Sequence, residues 1–140
     1  MQILINITAQ GLIYIFFTTI IYGYGSILKK IIFKKQNIFI GEIGILGFLS
    51  IYLLVISIHF VFPITILISS ILLFLGLVTG IREIKKENLL LKVDKIVLII
   101  FLYSIFLSLT INLHDDAYWY QLPTINYFQE FKIIFGIVNI

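Results

Sequence analysis

The stretch IGILGFLSIYLLVISIHFVFPITILISSILLFLGLVTGI, residues 43–81, decides the fold because its 39 positions contain no Asp, Glu, Lys or Arg. A helix needs about 20 apolar residues to cross the hydrocarbon core of a bilayer, so this stretch is long enough for two crossings. Pro63 lies near its middle, and proline lacks the backbone N–H that a continuing helix requires. We therefore predict helices over residues 41–62 and 64–82 that turn at Pro63.

Two more uncharged stretches flank this helical pair. Residues 1–28 contain no charged side chain, and neither do residues 96–113. Each stretch is close to the length of one membrane crossing. They predict further helices over residues 6–28 and 95–113.

The composition excludes a water-soluble fold. Of the 140 residues, 61% are hydrophobic and only 12% are charged, which is too few charges to cover the surface that a globular domain of this size exposes. Membrane lipid is the expected partner of most of the chain. The predicted class is all-α: a polytopic membrane protein with four transmembrane helices in residues 1–113, and an extracytoplasmic region with a juxtamembrane amphipathic helix in residues 114–140.

The basic residues predict the orientation of the helices. Nine of the ten lie in the first and third connections: Lys29, Lys30, Lys34, Lys35, Arg82, Lys85, Lys86, Lys92 and Lys95. Connections rich in Lys and Arg face the cytoplasm, so the amino terminus and residues 114–140 are expected on the extracytoplasmic side. The net charge of +3 is then a signal of topology, and we expect no nucleic-acid partner.

Few side chains within the predicted spans invite chemistry. The absence of cysteine excludes disulfides, thiolate nucleophiles and cysteine-bound metals. Glu42 is placed to interact with the amino-terminal dipole of the second helix. His59 is expected at the outer membrane interface, one turn before Pro63. Two interpretations of His59 stay open: its side chain could face a polar cavity, or it could be an interfacial residue with no further role. Close packing against a neighbouring helix is predicted along the second helix at Gly41, Gly44 and Gly47.

The segment HDDAYWYQLP, residues 114–123, contains the best candidates for chemistry. Asp115 and Asp116 are adjacent carboxylates beside His114, at the point where the fourth predicted span ends. Ionising the second carboxylate costs Coulomb energy, so one of the pair can accept a proton near neutral pH. The same pair could instead bind a divalent cation.

Apolar residues after this segment recur every three positions, at Leu122, Ile125, Phe128 and Phe131. This spacing predicts an amphipathic helix that lies along the membrane surface with neighbouring aromatic rings at headgroup level. A structural alternative stays open, in which Asp115 and Asp116 only cap that helix.

An acidic pair on an outer loop, followed by aromatic residues and a juxtamembrane helix, resembles the GT-C glycosyltransferases, which take sugars from polyprenyl-phosphate carriers. Residues 114–140 are also similar to a group of bacterial membrane proteins of unknown function that is linked to these enzymes. The similarity lies in the aromatic run Tyr118-Trp119-Tyr120 and in Gly136-Ile137-Val138-Asn139. The resemblance implies catalysis by Asp115 and Asp116 on the outer membrane face, where a carboxylate deprotonates an acceptor hydroxyl; the divalent cation stays a candidate cofactor from the paired carboxylates alone. It implies substrate binding by His114, Tyr118, Trp119, Tyr120 and Gln121.

The sequence therefore supports two hypotheses about function. The first is the amino-terminal portion of a membrane glycosyltransferase of the bacterial inner membrane, which uses a polyprenyl-phosphate-linked sugar and is inactive as this fragment alone. The apolar residues 133–140 favour a continuing chain. The alternative is a small non-enzymatic helical membrane protein that acts as a partner or assembly subunit.

Overall fold

The computed structural model describes residues 2–33, 39–88, 95–110 and 121–133. Within these ranges every regular element is a helix. The helices are α1 (Gln2–Ile32), α2 (Ile40–His59), α3 (Ile66–Glu87), α4 (Lys95–Thr110) and α5 (Leu122–Glu130). The predicted all-α class is confirmed.

Three of the helices are long and apolar enough to cross a membrane, at Ile7–Ile32, Ile40–His59 and Ile66–Glu87. The fourth helix, α4, has 16 residues, or about 24 Å at 1.5 Å per residue. A bilayer core is about 30 Å thick. Three helices therefore meet the requirement for spanning, and the four-span count stays a prediction.

The turn between α2 and α3 lies where Pro63 predicts it. α2 ends at His59 and α3 begins at Ile66, and the hydroxyl of Thr65 accepts a hydrogen bond from the Ile68 N–H at 3.4 Å. This bond satisfies one of the amino-terminal donors of α3 that have no partner within the helix. Together the proline and the threonine fix the direction in which the chain leaves the turn.

The amino terminus of α2 confirms the role expected of Glu42. Its carboxylate accepts a hydrogen bond from the Phe39 N–H at 2.9 Å, in the manner of the glutamate in a capping box. The negative charge also lies at the positive end of the helix dipole. Glu42 thus serves to begin the helix.

α1 lies between α2 and α3 and makes the main contacts with both. On the α2 side, a Cβ built on Gly25 would overlap the Ile43 carbonyl, and one built on Gly47 would overlap the Ile21 carbonyl. These positions must lack a side chain for the two backbones to approach so closely. The two contacts run in opposite chain directions, so α1 and α2 are antiparallel.

Only part of the glycine surface expected on α2 is used for packing. A Cβ on Gly41 or Gly44 would meet nothing within 4 Å, whereas Gly47 lies against α1. The contact follows positions four apart, Ile43 and Gly47, because that row stays closer to one face of a helix than positions three apart. Gly41 and Gly44 therefore face away from the contact.

The second surface of α1 packs on α3, also through small residues. A Cβ on Gly80 would overlap the Thr19 carbonyl, and one on Gly76 would lie 2.6 Å from the Ile20 side chain. The Tyr24 hydroxyl donates to the Leu72 carbonyl at 2.7 Å. Thus glycines on both sides of α1 allow it to be the central helix of the described bundle.

Candidate functional site

Most of the predicted site residues lie outside the residues that the structure describes. These are His114, Asp115, Asp116, Tyr118, Trp119 and Tyr120. Gln121 is described: it is exposed, immediately precedes α5, and makes no capping hydrogen bond with its side chain. The structure therefore bears on the acidic pair through the two described ends of its connection, Thr110 of α4 and Gln121.

The position of α5 limits where the acidic pair can lie. Asp115 and Asp116 precede Gln121 by six and five residues, and a chain extends by at most about 3.6 Å per residue. By chain length alone, the Cα atoms of both residues are therefore within about 22 Å of the Gln121 Cα. Whatever holds α5 in place also limits the part of the molecule that these two residues can reach.

The chain around the end of α5 is bonded to the α2–α3 turn. The Ile64 N–H donates to the Phe128 carbonyl at 2.9 Å, and the Ile133 N–H donates to the His59 carbonyl at 3.0 Å. Because these are backbone hydrogen bonds between segments distant in sequence, they tie the end of α5 directly to the turn. We call residues 59–64 and 128–133, joined in this way, the turn junction.

His59 is the buried polar side chain of the turn junction. It is only 5% exposed, and its Nε2 lies 2.9 Å from the carbonyl oxygen of Phe131. A carbonyl can only accept, so the Nε2 atom must carry the proton. The Phe128 ring meets the imidazole edge-on, with 4.9 Å between ring centroids. His59 thus has a specific partner in the protein.

α5 confirms that the apolar spacing after residue 121 specifies a helix. Leu122, Ile125 and Phe128 are each nearly half exposed, so much of the apolar surface of α5 is not covered by the described bundle. Phe131 was expected to continue that helix, but its backbone is extended, with φ −123° and ψ 143°. The extended backbone lets the Phe131 carbonyl point to His59. The juxtamembrane position of α5 stays a prediction.

A second polar cluster lies between α1 and α3, where α3 approaches its carboxyl end. The Nζ atom of Lys30 is 2.6 Å from Oε1 of the buried Glu83. The Tyr22 hydroxyl donates to Oε2 of Glu87 at 3.1 Å, and the buried Ser26 lies one turn from Tyr22 on the same face of α1. Ionisable groups within membrane helices are costly unless paired, and each carboxylate here has a partner.

An apolar groove of about 710 Å³ runs along α2 beside α1. Its walls include Tyr24 and Leu28 of α1 and Leu54 and Phe62 from α2 and the turn. The serine hydroxyls in its wall, at Ser50 and Ser57, donate to carbonyls one helical turn earlier. The groove therefore offers hydrocarbon-like surface and few free polar groups.

The described residues do not provide a metal site. Among them, no group of three His, Cys, Asp or Glu side chains is arranged to hold an ion. The cation proposed for Asp115 and Asp116 concerns residues outside the described ranges.

Sequence reasoning missed both the turn junction and the cluster between α1 and α3. The junction depends on a carbonyl group, which leaves no trace in the sequence. The cluster does leave one, since Tyr22, Ser26 and Lys30 are spaced by four, as are Glu83 and Glu87. Positions four apart share one face of a helix. Two such polar rows in otherwise apolar helices predict that the rows pair.

Within the described residues, these features define a helical protein with three helices suited to crossing a membrane and with α5 tied to the turn between two of them. The chain belongs to the family described as Domain of unknown function (DUF8201), whose model matches residues 7–140. The match includes the acidic segment and α5. No curated protein and no solved structure matches the chain.

Proposed function

We propose that this chain belongs to a glycosyltransferase-like protein of the bacterial inner membrane. It would transfer a sugar from a polyprenyl-phosphate carrier to an acceptor hydroxyl on the extracytoplasmic face. In this proposal four helices span the membrane, and the amino terminus and residues 114–140 are extracytoplasmic. The nine clustered basic residues support this orientation.

The observation that carries the proposal is the attachment of α5 to the α2–α3 turn. The Ile64 N–H to Phe128 carbonyl bond and the His59 to Phe131 bond hold α5 at one end of the helical bundle. Asp115 and Asp116 precede α5 by a few residues, and in this proposal they act at that same end. A carboxylate there can act on a group at the membrane surface while the carrier's hydrocarbon chain stays in the bilayer.

The proposed chemistry needs one base and one leaving group. Asp115 or Asp116 would accept the proton of the acceptor hydroxyl as its oxygen bonds to the anomeric carbon, and the bond from that carbon to the carrier phosphate oxygen breaks. A divalent cation held by the same pair would offset the charge on the departing phosphate. His114, Tyr118, Trp119, Tyr120 and Gln121 would line the sugar site.

The apolar groove gives secondary support. Its lining contains Tyr24 and Leu28 of α1 and Phe62 of the α2–α3 turn. An isoprenoid chain is purely hydrocarbon and needs no polar partner along its length, so the groove is chemically suited to it. The groove also reaches the turn to which α5 is attached.

The test compares three variants of the whole protein in membranes supplied with a radiolabelled polyprenyl-phosphate sugar. Asp115→Asn and Asp116→Asn keep the side-chain size but remove the base, so at least one should lower transfer by about a hundredfold or more. Glu130→Gln is the matched control, because Glu130 is an exposed carboxylate on α5, and transfer should change less than about twofold.

Transfer that survives in both aspartate variants would contradict the proposal. So would the absence of any transfer by the parent protein with polyprenyl-phosphate donors. Either result would favour the alternative, a non-enzymatic membrane partner or assembly subunit in which the acidic pair only starts a helix.

A further inference from the structure

We infer that His59 is a positioning residue: it fixes α5 on the α2–α3 turn and thereby sets where Asp115 and Asp116 can act. The catalytic consequence rests on the proposed function. The attachment itself does not, because it follows from contacts among described residues.

α5 packs less extensively on α1 than the other described helices do. α1 makes broad contacts with α2, α3 and α4, whereas α5 has no comparable packing against another described helix. Its apolar residues Leu122 and Ile125 remain about half exposed. The hydrogen bonds of the turn junction attach α5 directly to the described bundle.

His59 forms two hydrogen bonds across the turn junction. Its backbone carbonyl accepts from the Ile133 N–H at 3.0 Å, while its side chain bonds the Phe131 carbonyl at 2.9 Å. Residues 131 and 133 are thereby held from one position on α2. The remaining backbone bond, from Ile64 to Phe128, acts at the other edge of the junction.

The side chain at position 59 must both donate a hydrogen bond and fill the space beside the Phe128 ring. The imidazole presents an N–H donor at the end of a flat ring, and the Phe128 ring packs edge-on against it. Phenylalanine could fill the same space but cannot donate to the carbonyl. Glutamine places an amide N–H at nearly the same distance from the backbone, so it can replace the donor while losing the aromatic ring.

A cysteine cross-link reads out the attachment directly. The native chain has no cysteine, so Ile64→Cys with Gln129→Cys creates one defined pair beside the Ile64–Phe128 bond. Gly11→Cys with Ile105→Cys is the control pair, because a Cβ on Gly11 would lie 3.7 Å from the Ile105 side chain, between α1 and α4. Both pairs are oxidised in membranes and scored by the shift of the disulfide-bonded band.

We expect His59→Phe to slow cross-linking of the junction pair at least fivefold, while the control pair changes less than twofold. His59→Gln should keep the junction pair within twofold of the native histidine. Junction cross-linking in His59→Phe that is as fast as with histidine overturns the inference. If His59→Phe slows cross-linking of both pairs, the His59→Gln variant is the deciding measurement. The inference then stands only if the junction pair in His59→Gln cross-links at nearly the native rate.

Transfer assays separate this inference from the proposed function. In a protein that transfers sugar, His59→Phe should lower kcat and His59→Gln should restore most of it. Asp115→Asn should leave the junction cross-link unchanged. If the cross-link depends on His59 but both aspartate variants still transfer sugar, the attachment stands and the proposed catalytic role of the acidic pair fails.

Discussion

Lys30 and Glu83 form an ion pair in which the two partners are buried to very different extents. Nζ lies 2.6 Å from Oε1, yet the lysine side chain is 52% exposed and the glutamate side chain only 9%. The lysine therefore reaches in to a carboxylate that α1 and α3 have largely enclosed. The asymmetry means that the two residues should respond differently to substitution.

Replacing Lys30 should cost more stability than replacing Glu83. Lys30→Met leaves the buried Glu83 charge without its partner, which lowers the free energy of unfolding by about 1–3 kcal/mol. Glu83→Gln leaves a lysine whose exposed ammonium can turn to water, so the loss should stay below about 1 kcal/mol. Denaturation of the purified protein in mixed micelles by increasing SDS, followed by circular dichroism, measures both.

The double variant is the control for this pair. Lys30→Met with Glu83→Gln removes both charges and should be less destabilised than Lys30→Met alone, because no buried charge is left unpaired. If the two single variants lose equal free energy of unfolding, and the double variant loses the sum of the two, then Lys30 and Glu83 are not coupled.

The glycines of α2 offer a matched comparison of contact and open surface. Gly47→Ala would force the α1 and α2 backbones apart at Ile21, and we expect a loss of about 1–3 kcal/mol in the free energy of unfolding. Gly44→Ala meets nothing within 4 Å, and the better helix propensity of alanine should make it neutral or up to about 1 kcal/mol stabilising. The same SDS titration tests both, and a destabilised Gly44→Ala would mean that this face of α2 is packed after all.

Much of the bundle could be predicted because the relevant physics is local. Long apolar stretches without charge predict helices suited to lipid, and Pro63 interrupts them, so α2, α3 and their turn follow from composition and one residue. The end of α1 was predicted too early, at residue 28 instead of Ile32. Lys29 and Lys30 are good helix formers whose long side chains can reach the interface, so charge does not end this helix.

The contacts that position α5 could not be predicted from the sequence, because they involve backbone groups. They join His59 and Ile64 to backbone groups 64 to 74 residues later, and almost every residue carries the same backbone groups. The sequence indicated the helix through the spacing of Leu122, Ile125 and Phe128, but spacing says nothing about which turn a helix meets. The acidic pair remains a prediction from its residue types and from resemblance.

Topology can be tested with single cysteines in the cysteine-free chain. Cysteines at Gln36 and Asn88 lie in the two basic connections, and Gln121 lies beside α5. With four spans, a membrane-impermeant thiol reagent added to intact cells should label only the cysteine at Gln121, and disruption of the membrane should expose the other two. Labelling of Gln36→Cys or Asn88→Cys in intact cells would contradict this orientation.

The exposed apolar side of α5 should contact lipid. Ile125 is 49% exposed and lies on the same side of the helix as Leu122, whereas Glu130 lies about 140° away from Ile125 around an ideal helix with 3.6 residues per turn. A fluorophore attached at Ile125→Cys should therefore be quenched at least twice as strongly by spin-labelled lipids as one attached at Glu130→Cys. A water-soluble quencher should show the reverse order.

Equal quenching by spin-labelled lipids at both positions would mean that α5 does not contact the bilayer. The membrane-surface position predicted from its apolar spacing would then be wrong. The hydrogen bonds of the turn junction would be unaffected by that result, because they are formed by His59 and backbone groups and not by the exposed side chains of α5.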